Sequence, residues 1–259
     1  MLGAMLRRAQ EEIRYWMWSD WSLSDTADHY DRMAAHYDEV NADTDAHFRR
    51  FTDALQLAQL PEEARLLEVF ARTGEGMEYF YEQGRVSSGV CVDVSEEMGR
   101  ICRERLARGG HQNWRWVHMT DYRLPLADGE FDVTICLETV EHVSRPDRLV
   151  AELARVTRPA GLFVLSTPNV LWEPVHALAA VVGLHHSEGP HRFVSYARLV
   201  RIVRAAGFEV MHAKTMVLVP EGPEWLVRWG DRIENRAPRA VMEAVGLRRF
   251  LICRRCVEG

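Results

Sequence analysis

The segment ETVEHV concentrates the side chains best suited to chemistry. It supplies Glu138, Glu141 and His142 directly after the apolar run FDVTICL. If this segment is helical, spacings of three and four residues place all three side chains on one face. Two carboxylates and an imidazole in that arrangement suit a hard divalent ion such as Mg²⁺ or Mn²⁺. His191, in GPHRFVSY, is the candidate for a fourth ligand.

The same residues allow two other interpretations. His142 can act as a metal-free general base, because an imidazole exchanges its proton near neutral pH. It can also have a structural role at the end of a helix. His185 and His186, in GLHHSEGPH, add nearby donors, and either could replace His191. The pattern therefore leaves a metal site, a metal-free base and a structural role open.

Alternating sequence patterns predict the sheet that must position these groups. From residue 65, short apolar runs (RLLEVF, GVCVDV, WRWVH, FDVTICL, GLFVLST) alternate with amphipathic stretches. This alternation predicts an α/β fold with a doubly wound, mostly parallel sheet. Two later runs, GFEVMHAKTMVLV and RRFLICRRC, lack a strong crossover helix between them. We therefore expect seven strands, the last of them antiparallel.

Three other parts of the chain stand outside this pattern. Residues 1–60 have helical periodicity and predict an N-terminal helical cap on a main domain over residues 61–259. Insertions at about 170–192 and 220–245 predict lid or substrate-binding segments. Two groups of tryptophans either pack these parts or line a binding site. They are Trp16, Trp18 and Trp21 in the cap, and Trp172, Trp225 and Trp229 in the insertions.

Acidic residues occur where the first three strands should end. In an open parallel sheet, the ligand lies outside the carboxyl ends of the strands. Glu68 is near the end of the first strand, and Asp93, 25 residues later, ends the second. A carboxylate at the second position can accept hydrogen bonds from ribose hydroxyls, and Asp121 could accept one from an adenine amino group. Each acid is also typical of a helix N-cap.

These features together resemble a known family. LLEVFARTGEG, VCVDVSEEM, TDYRLPLADGEFDVTICLETVEHV, RVTRPAGLFVLSTPN and HRFVSYARLVRIVRAAGFEV are similar to class I S-adenosylmethionine-dependent methyltransferases of the small-molecule type, over about residues 28–256. The resemblance implies S-adenosylmethionine as the cofactor. The cofactor-binding positions that it implies are Tyr37, Glu68, Phe70, Arg72, Gly74, Asp93, Val94, Met98, Thr120, Asp121, Tyr122 and Leu137.

The resemblance also gives these positions roles. Tyr37 would contact the cofactor carboxylate, and Glu68 and Gly74 would border the methionine part. Asp93 would hold the ribose, and Met98 would pack on the adenine. Asp121 with Tyr122 would recognise the edge of the adenine.

The ETVEHV segment narrows the resemblance further. Together with STPN and His191, it is similar to metal-dependent O-methyltransferases of ubiquinone biosynthesis and of small RNAs. That similarity implies a divalent metal on Glu138, Glu141, His142 and His191. Such a metal lowers the pKa of the attacked hydroxyl. The expected catalytic residues are then Glu138, Glu141 and His142.

The cofactor loop departs from the family pattern. The family has glycine at every second position after the acid, whereas this chain has Phe70 and Arg72 and retains only Gly74. Glycine is favoured there because the backbone approaches the cofactor closely. The substitutions require an altered loop or a shifted cofactor, and Arg72 could pair with the cofactor carboxylate. Alternatively, the chain is a cofactor-altered, non-catalytic binding protein on the same scaffold.

The composition excludes some partners. A small-RNA methyltransferase, which the four expected metal ligands suggest, is a third alternative. The net charge of −6 and the lack of a dense Lys/Arg stripe oppose it, because nucleic-acid binding needs positive charge. No apolar run approaches the roughly 20 residues that span a bilayer. The N-terminus becomes charged too early for a secretory signal, so we expect a cytoplasmic protein. The leading hypothesis is transfer of a methyl group from S-adenosylmethionine to an oxygen, or less readily a nitrogen, of a small metabolite.

The five cysteines predict free thiols rather than a redox or zinc site. Cys253 and Cys256 form a CxxC, but residues three apart on a strand point to opposite faces. No second Cys or His pair accompanies them.

Overall fold

The structure is a computed structural model that describes residues 9–10, 13–15, 17–18, 20–42, 45–182, 189–220 and 222–257. Trp16, His185 and His186 lie outside the described residues. The core is one sheet of seven strands in the order β3-β2-β1-β4-β5-β7-β6. Strands β1 to β6 are parallel to one another, and β7 runs antiparallel to both β5 and β6. The predicted doubly wound sheet with an antiparallel last strand is confirmed.

The strands coincide with the apolar runs of the sequence. The central strands have apolar side chains on both faces, because helices cover both sides of a parallel sheet. In β4, for example, every residue except Asp132 is buried. The strands are β1 (Ala64–Val69), β2 (Val86–Asp93), β3 (Trp114–His118), β4 (Phe131–Leu137), β5 (Thr157–Pro168), β6 (Phe208–Met216) and β7 (Arg248–Arg255).

Helices cover both faces of the sheet and part of its carboxyl edge. Among those packed on the sheet, the helix that follows β4 buries Leu149, Val150 and Leu153 at helical spacing and begins with Pro146 in its first turn. The helices are α1 (Leu23–Met33), α2 (Tyr37–Ala42), α3 (Asp45–Ala58), α4 (Glu75–Glu82), α5 (Glu96–Arg108), α6 (Pro146–Val156), α7 (Glu173–Val182), α8 (Tyr196–Ala205), α9 (Glu224–Glu234) and α10 (Arg239–Val245).

Helix α1 is tied across the carboxyl edge of the sheet at both of its ends. It begins at Ser22, whose side chain accepts a hydrogen bond from the Asp25 amide in a capping box. At its start, the side chains of Trp21 and Thr26 both donate to the His142 carbonyl, at 3.0 Å each. Near its end, Asp31 accepts a hydrogen bond from the Ser95 hydroxyl, at the first turn of α5. Helix α1 therefore connects the end of β2 to the segment after β4.

The two predicted insertions contain helices rather than extended lids. Helix α7 lies in the first, and α9 and α10 lie in the second. The Trp172 indole donates to the Val245 carbonyl at 2.8 Å, which joins the two insertions. Trp225 and Trp229 are mostly exposed. None of the described helices is both long enough and apolar enough to cross a bilayer.

The five cysteines are free, as predicted. Cys253 is buried in β7, whereas Cys256 is exposed beyond its end.

Candidate active site

The loop after β1 has the backbone of a glycine loop without its glycines. Phe70, Arg72 and Gly74 have φ values of 54°, 51° and 81°, in the left-handed region. For side chains other than glycine this conformation costs about 1–2 kcal/mol each. The Arg72 amide donates to the Asp93 carboxylate at 2.7 Å, which fixes the loop to the end of β2. The surrounding structure therefore holds two strained residues at the alternate positions where the sequence lacks glycine.

The side chains of this loop fill space beside the sheet edge. Phe70 is buried in the same apolar cluster as Met98 and Tyr30. The Arg72 guanidinium donates to the Glu138 carbonyl at 2.8 Å and to the Tyr30 hydroxyl at 3.4 Å. It also lies against the ring of Tyr37, with 5.8 Å between its Cζ atom and the ring centroid. Arg72 thus bridges the ends of β1 and β4 to the N-terminal helices.

The expected adenosyl positions are covered. Asp93, Val94 and Met98 are each at most 2% exposed. One Asp93 oxygen accepts the Arg72 amide, and the other accepts the Ser95 amide at 2.9 Å. Burial raises the pKa of the Asp93 carboxyl, although these backbone donors oppose the shift. The carboxylate expected to hold a ribose is therefore occupied by backbone donors and closed to solvent.

The positions expected to contact the adenine, after β3, are more exposed than Asp93. Thr120 and Asp121 are exposed, and an Asp121 oxygen accepts the Arg123 amide at 3.1 Å. The Tyr122 hydroxyl accepts the Arg145 amide at 3.2 Å. Leu137, at the end of β4, is buried.

The adenosyl part of the cofactor does not fit this arrangement. The residue types agree with the expectation, because an acid ends β2 and the loop keeps its left-handed shape. The surroundings do not agree, because Asp93 is 1% exposed and both of its oxygens already accept backbone amides. Of the twelve expected cofactor positions, only Tyr37 and Arg72 line the main cavity of the described structure.

That cavity has a volume of about 410 Å³ and lies over the carboxyl edge of β1 and β4. The N-terminal helices α1 to α3 and the insertion helix α7 contribute its walls. A volume of this size suits a small organic molecule. The polar and charged side chains of the wall are His29, Tyr30, Tyr37, Asn41, His47, Arg50, Arg72, Glu138, Glu141, Trp172, His176, His142 and Arg248.

Glu138 is an ion-pair partner within this wall. Its Oε1 atom is 2.6 Å from Arg248 Nε, and its Oε2 atom is 3.5 Å from Arg50 Nη1. Burial alone would raise the pKa of Glu138, but the two arginines outweigh it and lower that pKa to about 2. Glu138 therefore stays ionised with its carboxylate directed at two guanidinium groups.

Glu141 and His142 lie beside it and are both almost completely buried. The Thr167 hydroxyl donates to the Glu141 carboxyl at 2.9 Å. Burial raises the pKa of Glu141 to about 8, and the charge of Glu138 adds to the shift. The His142 ring lies 6.3 Å from the His191 ring and 5.7 Å from the Tyr30 ring, centroid to centroid. The structure thus places Glu141 and His142 at the cavity, with His191 beside the His142 ring.

ETVEHV does not form the α-helix that a common face for its three side chains requires. Glu138 has a φ of 48°, and only the short 3₁₀ turn Val140–His142 follows it. The left-handed residue directs the Glu138 carboxylate to Arg248 and Arg50 instead of placing it on a common face with Glu141 and His142.

The predicted metal ligands do not fit a divalent ion in this arrangement. Within the described ranges, no group of three or more His, Cys, Asp or Glu side chains is placed to hold a metal. Glu138 is engaged by two arginines, and three arginines line the same cavity and would repel a cation.

Several wall residues were not expected from the sequence. Arg50 lies on α3 and Arg248 begins β7, far from the motifs along the chain. His47 and Tyr30, on the N-terminal helices, also line the cavity. For Tyr30, His47 and Arg50, the only sequence signal is the helical periodicity of the N-terminal segment. That periodicity does not specify how the helices are oriented against the domain.

Glu68, near the end of β1, is a buried acid whose pKa can be tested by its effect on stability. It is buried below Gly76, where an added Cβ would lie 2.2 Å from Glu68 Oε1. Burial raises its pKa from 4.5 to about 8, despite the nearby charges of Arg50 and Arg72. A raised pKa means that stability is complete below pH 4.5 and is lost as pH rises through about 8.

We expect Glu68→Gln to lose less stability than the wild type as pH rises. The difference in the free energy of unfolding between about pH 5 and pH 9 should shrink by on the order of 3 kcal/mol, because glutamine stays neutral. Urea unfolding at the two pH values measures this. Glu97→Gln, on the exposed face of α5, should behave as the wild type. Equal losses in Glu68→Gln and the wild type would contradict the assignment.

A comparison with protein families decides the nature of this fold. Residues 67–165 match the model of a family described as "Methyltransferase domain". Over these residues the chain is therefore similar to methyltransferase domains. The matched region runs from β1 to β5.

Curated relatives of the methyltransferase domain include enzymes that methylate oxygen. The ubiquinone biosynthesis O-methyltransferase of Thiobacillus denitrificans is 33% identical over 50% of this chain and 58% of its own length. The malonyl-[acyl-carrier protein] O-methyltransferase of Geobacter sulfurreducens is 29% identical over 76% of each chain. The chain thus spans little more than half of some of these relatives.

Solved structures share the fold of the methyltransferase domain and its surroundings. A Haloferax volcanii protein described as a putative methyltransferase, in complex with the Trm112 activator, has a TM-score of 0.69 at 19% identity. It matches over 90% of this chain and 99% of its own. The [4+2]-cyclase SpnF has a TM-score of 0.66 at 17% identity, over 92% and 97% of the two chains. At these identities the likeness concerns the fold alone.

Proposed function

We propose that this chain is an S-adenosylmethionine-dependent methyltransferase that methylates an oxygen of a small molecule. The observation that carries the proposal is a cavity of about 410 Å³ with His142 in its wall, at the carboxyl edge of a methyltransferase domain. The named relatives that methylate oxygen support the choice of atom. Nucleic acid is not the proposed acceptor, since the net charge is −6.

His142 is the proposed general base. Methylation of a hydroxyl requires that the oxygen lose its proton, and a buried imidazole in the cavity wall can accept it. The His142 carbonyl receives hydrogen bonds from Trp21 and Thr26, so α1 fixes the position of this residue. Glu138, paired with Arg248 and Arg50, keeps its charge and orients the arginines. This metal-free role is favoured over the metal site because the carboxylates are already engaged.

The N-terminal helices are the proposed roof of the acceptor site. Predicted as a cap over residues 1–60, this region supplies Tyr30, Tyr37, His47 and Arg50 to the wall. The roof excludes water from the acceptor oxygen, and it also covers Asp93. Cofactor entry therefore requires that α1 move away from the end of β2.

Calorimetry tests the proposal directly. S-adenosylmethionine and S-adenosylhomocysteine are titrated into the protein at high micromolar concentration, and measurable binding heat is the expected result. Absence of heat with both compounds would contradict the proposed activity.

A second candidate is a binding protein that retains the scaffold without using the cofactor. The specific observation in its favour is that Asp93 is 1% exposed and both of its oxygens already accept backbone amides.

The variant Asp31→Ala separates a closed cofactor site from a lost one. Asp31 accepts the Ser95 hydroxyl and, at 3.3 Å, the Glu97 amide, so its loss loosens α1 from α5. If closure limits binding, Asp31→Ala should bind S-adenosylhomocysteine several-fold more tightly than the wild type. Asp28→Ala, at an exposed position of the same helix, is the matched control and should leave affinity unchanged. No binding by any of the three proteins would favour the second candidate.

A further inference from the structure

Three buried arginines converge on the cavity from distant parts of the chain. Arg50 on α3, Arg72 after β1 and Arg248 at the start of β7 are 4%, 5% and 3% exposed, respectively. All three line the cavity. Removing a guanidinium group from water costs several kcal/mol unless an anion and hydrogen-bond acceptors replace the water. The cavity must therefore offer compensation for three charges.

The acids of the wall compensate only part of this charge. Among the described residues that line the cavity, the carboxylates are Glu138 and Glu141. Glu138 is shared between Arg248 and Arg50. Glu141 faces the Thr167 hydroxyl, and its pKa of about 8 leaves it mostly uncharged at neutral pH.

Further acids lie behind the wall. Glu68 has a pKa raised to about 8 by burial and is mostly uncharged at neutral pH. Asp93 accepts two backbone amides. Glu75, 3.3 Å from His47, and Asp53, which interacts with the charge of Arg248, are also close. The case for an anion therefore depends on the hydrogen-bond donors of the arginines and not on an excess of charge.

The arginines also retain unused hydrogen-bond donors. The Nε–H groups of Arg50 and Arg72 are buried and have no acceptor among the described residues. Arg50 donates from Nη2 to His47, and burial together with the charge of Arg50 lowers the pKa of His47, which keeps that ring neutral. A buried donor without an acceptor costs about 1–3 kcal/mol. An oxyanion that reached either Nε–H group would supply the missing acceptor.

The wall also has apolar parts. Met33, Pro168, Val175 and Phe193 line the cavity, together with the indole of Trp172. A ligand that fills this space therefore needs an apolar frame as well as an anionic group. Inorganic anions alone would leave most of the wall unfilled.

We infer that the cavity binds a small molecule that carries a carboxylate or phosphate group on an apolar frame, with Arg50 and Arg72 as the anion's partners. That this ligand is the methyl acceptor rests on the proposed function. Anion binding itself requires neither turnover nor cofactor.

Calorimetry with three matched probes tests the anion site on the wild-type protein. Phenylacetate and phenyl phosphate carry the two candidate anions, and phenylacetamide is a neutral analogue of the first. We expect at least one anion to bind about tenfold or more tightly than the amide, as charge-assisted hydrogen bonds to arginine predict. The tighter anion identifies the ligand class. Equal binding of all three probes, or no binding of either anion, would overturn the inference.

Variants assign the contact to the arginines. Arg50→Gln should weaken the preferred anion about tenfold and leave the amide unchanged, whereas Arg65→Gln, at an exposed ion pair with Asp132, should change neither. Arg72→Gln is the second variant and should give the same loss, so the test stands if one protein does not fold. Unchanged anion affinity in a folded Arg50→Gln or Arg72→Gln protein would refute the assignment.

Competition distinguishes an acceptor anion from the carboxylate of the cofactor. If saturating S-adenosylhomocysteine leaves phenylacetate affinity unchanged, the anion belongs to a separate ligand. If it displaces phenylacetate, the site binds the cofactor carboxylate and the acceptor assignment fails. If S-adenosylhomocysteine does not bind at all while phenylacetate does, the proposed function fails and the anion site remains.

Discussion

Replacement of Arg248 by methionine is expected to lower the free energy of unfolding by about 3 kcal/mol, because it leaves the Glu138 carboxylate with only the longer, 3.5 Å contact to Arg50. Arg248 Nε is 2.6 Å from Glu138 Oε1, and its Nη1 atom donates to the Ala46 carbonyl at 2.6 Å. One side chain thus connects β7, the end of β4 and the start of α3. Urea unfolding of the purified variant measures the loss.

A double variant separates the charge from the packing. In Arg248→Met with Glu138→Gln, the uncompensated carboxylate is absent, so we expect the double variant to recover about half of the lost stability. Arg249→Met, at the neighbouring and less buried position of β7, is the matched control and should cost about 1 kcal/mol or less. A loss below about 1 kcal/mol for Arg248→Met would show that the ion pair does not hold these elements together.

His142→Ala is expected to lower the rate of methyl transfer at least about a hundredfold, the usual effect of removing a general base. The measurement is the initial rate of S-adenosylhomocysteine formation with an acceptor chosen from hydroxyl-bearing anions. His142 lies in the cavity wall and is held by α1 through its carbonyl, so the alanine variant removes the ring and keeps the backbone contacts.

Two controls define what that loss means. His176→Ala, in the part of the wall that α7 contributes, should change the rate only a few-fold, because His176 packs on Phe193 away from the end of β4. Treatment with EDTA should leave the wild-type rate unchanged, since the carboxylates are bound to Arg248, Arg50 and Thr167. A rate that falls with EDTA and returns with Mg²⁺ would contradict the metal-free base.

The sheet could be predicted from the sequence because its strands are covered on both faces. Such strands give continuous apolar runs, and FDVTICL and GLFVLST correspond to β4 and to the apolar part of β5. The antiparallel end was also predicted, although the expectation that no strong helix separates β6 from β7 was wrong, because α9 and α10 lie between them. These patterns are local, and each strand carries its own signal.

The arrangement at the end of β4 could not be predicted in the same way. The ETVEHV segment is too short for periodicity to separate a helix from a turn, and the left-handed φ of Glu138 decides the outcome. Its partner Arg248 lies 110 residues further along the chain. A pairing of that separation depends on the tertiary fold, and no spacing rule reports it.

The cofactor loop was predicted less completely than the sheet but better than the end of β4. The sequence showed that glycine is missing at positions 70 and 72 and predicted either an altered loop or a shifted cofactor. The structure keeps left-handed backbone at Phe70 and Arg72. What the sequence did not show is that Asp93 is 1% exposed and that both of its oxygens already accept backbone amides, because its burial is set by packing among distant elements.

Because α1 is attached at both of its ends, ligand access to Asp93 and the position of His142 are linked. Under the proposed function, a ligand that reaches Asp93 releases Asp31 from Ser95, so its apparent affinity is its intrinsic affinity multiplied by the fraction of molecules already open. If about 1% are open, binding is about a hundredfold weaker than the contacts alone would give. Release of the whole helix also removes the Trp21 and Thr26 donors from the His142 carbonyl. Ligand entry at the end of β2 then needs α1 open, whereas alignment of His142, the proposed base after β4, needs α1 closed. Closure of α1 over a bound ligand would complete the site.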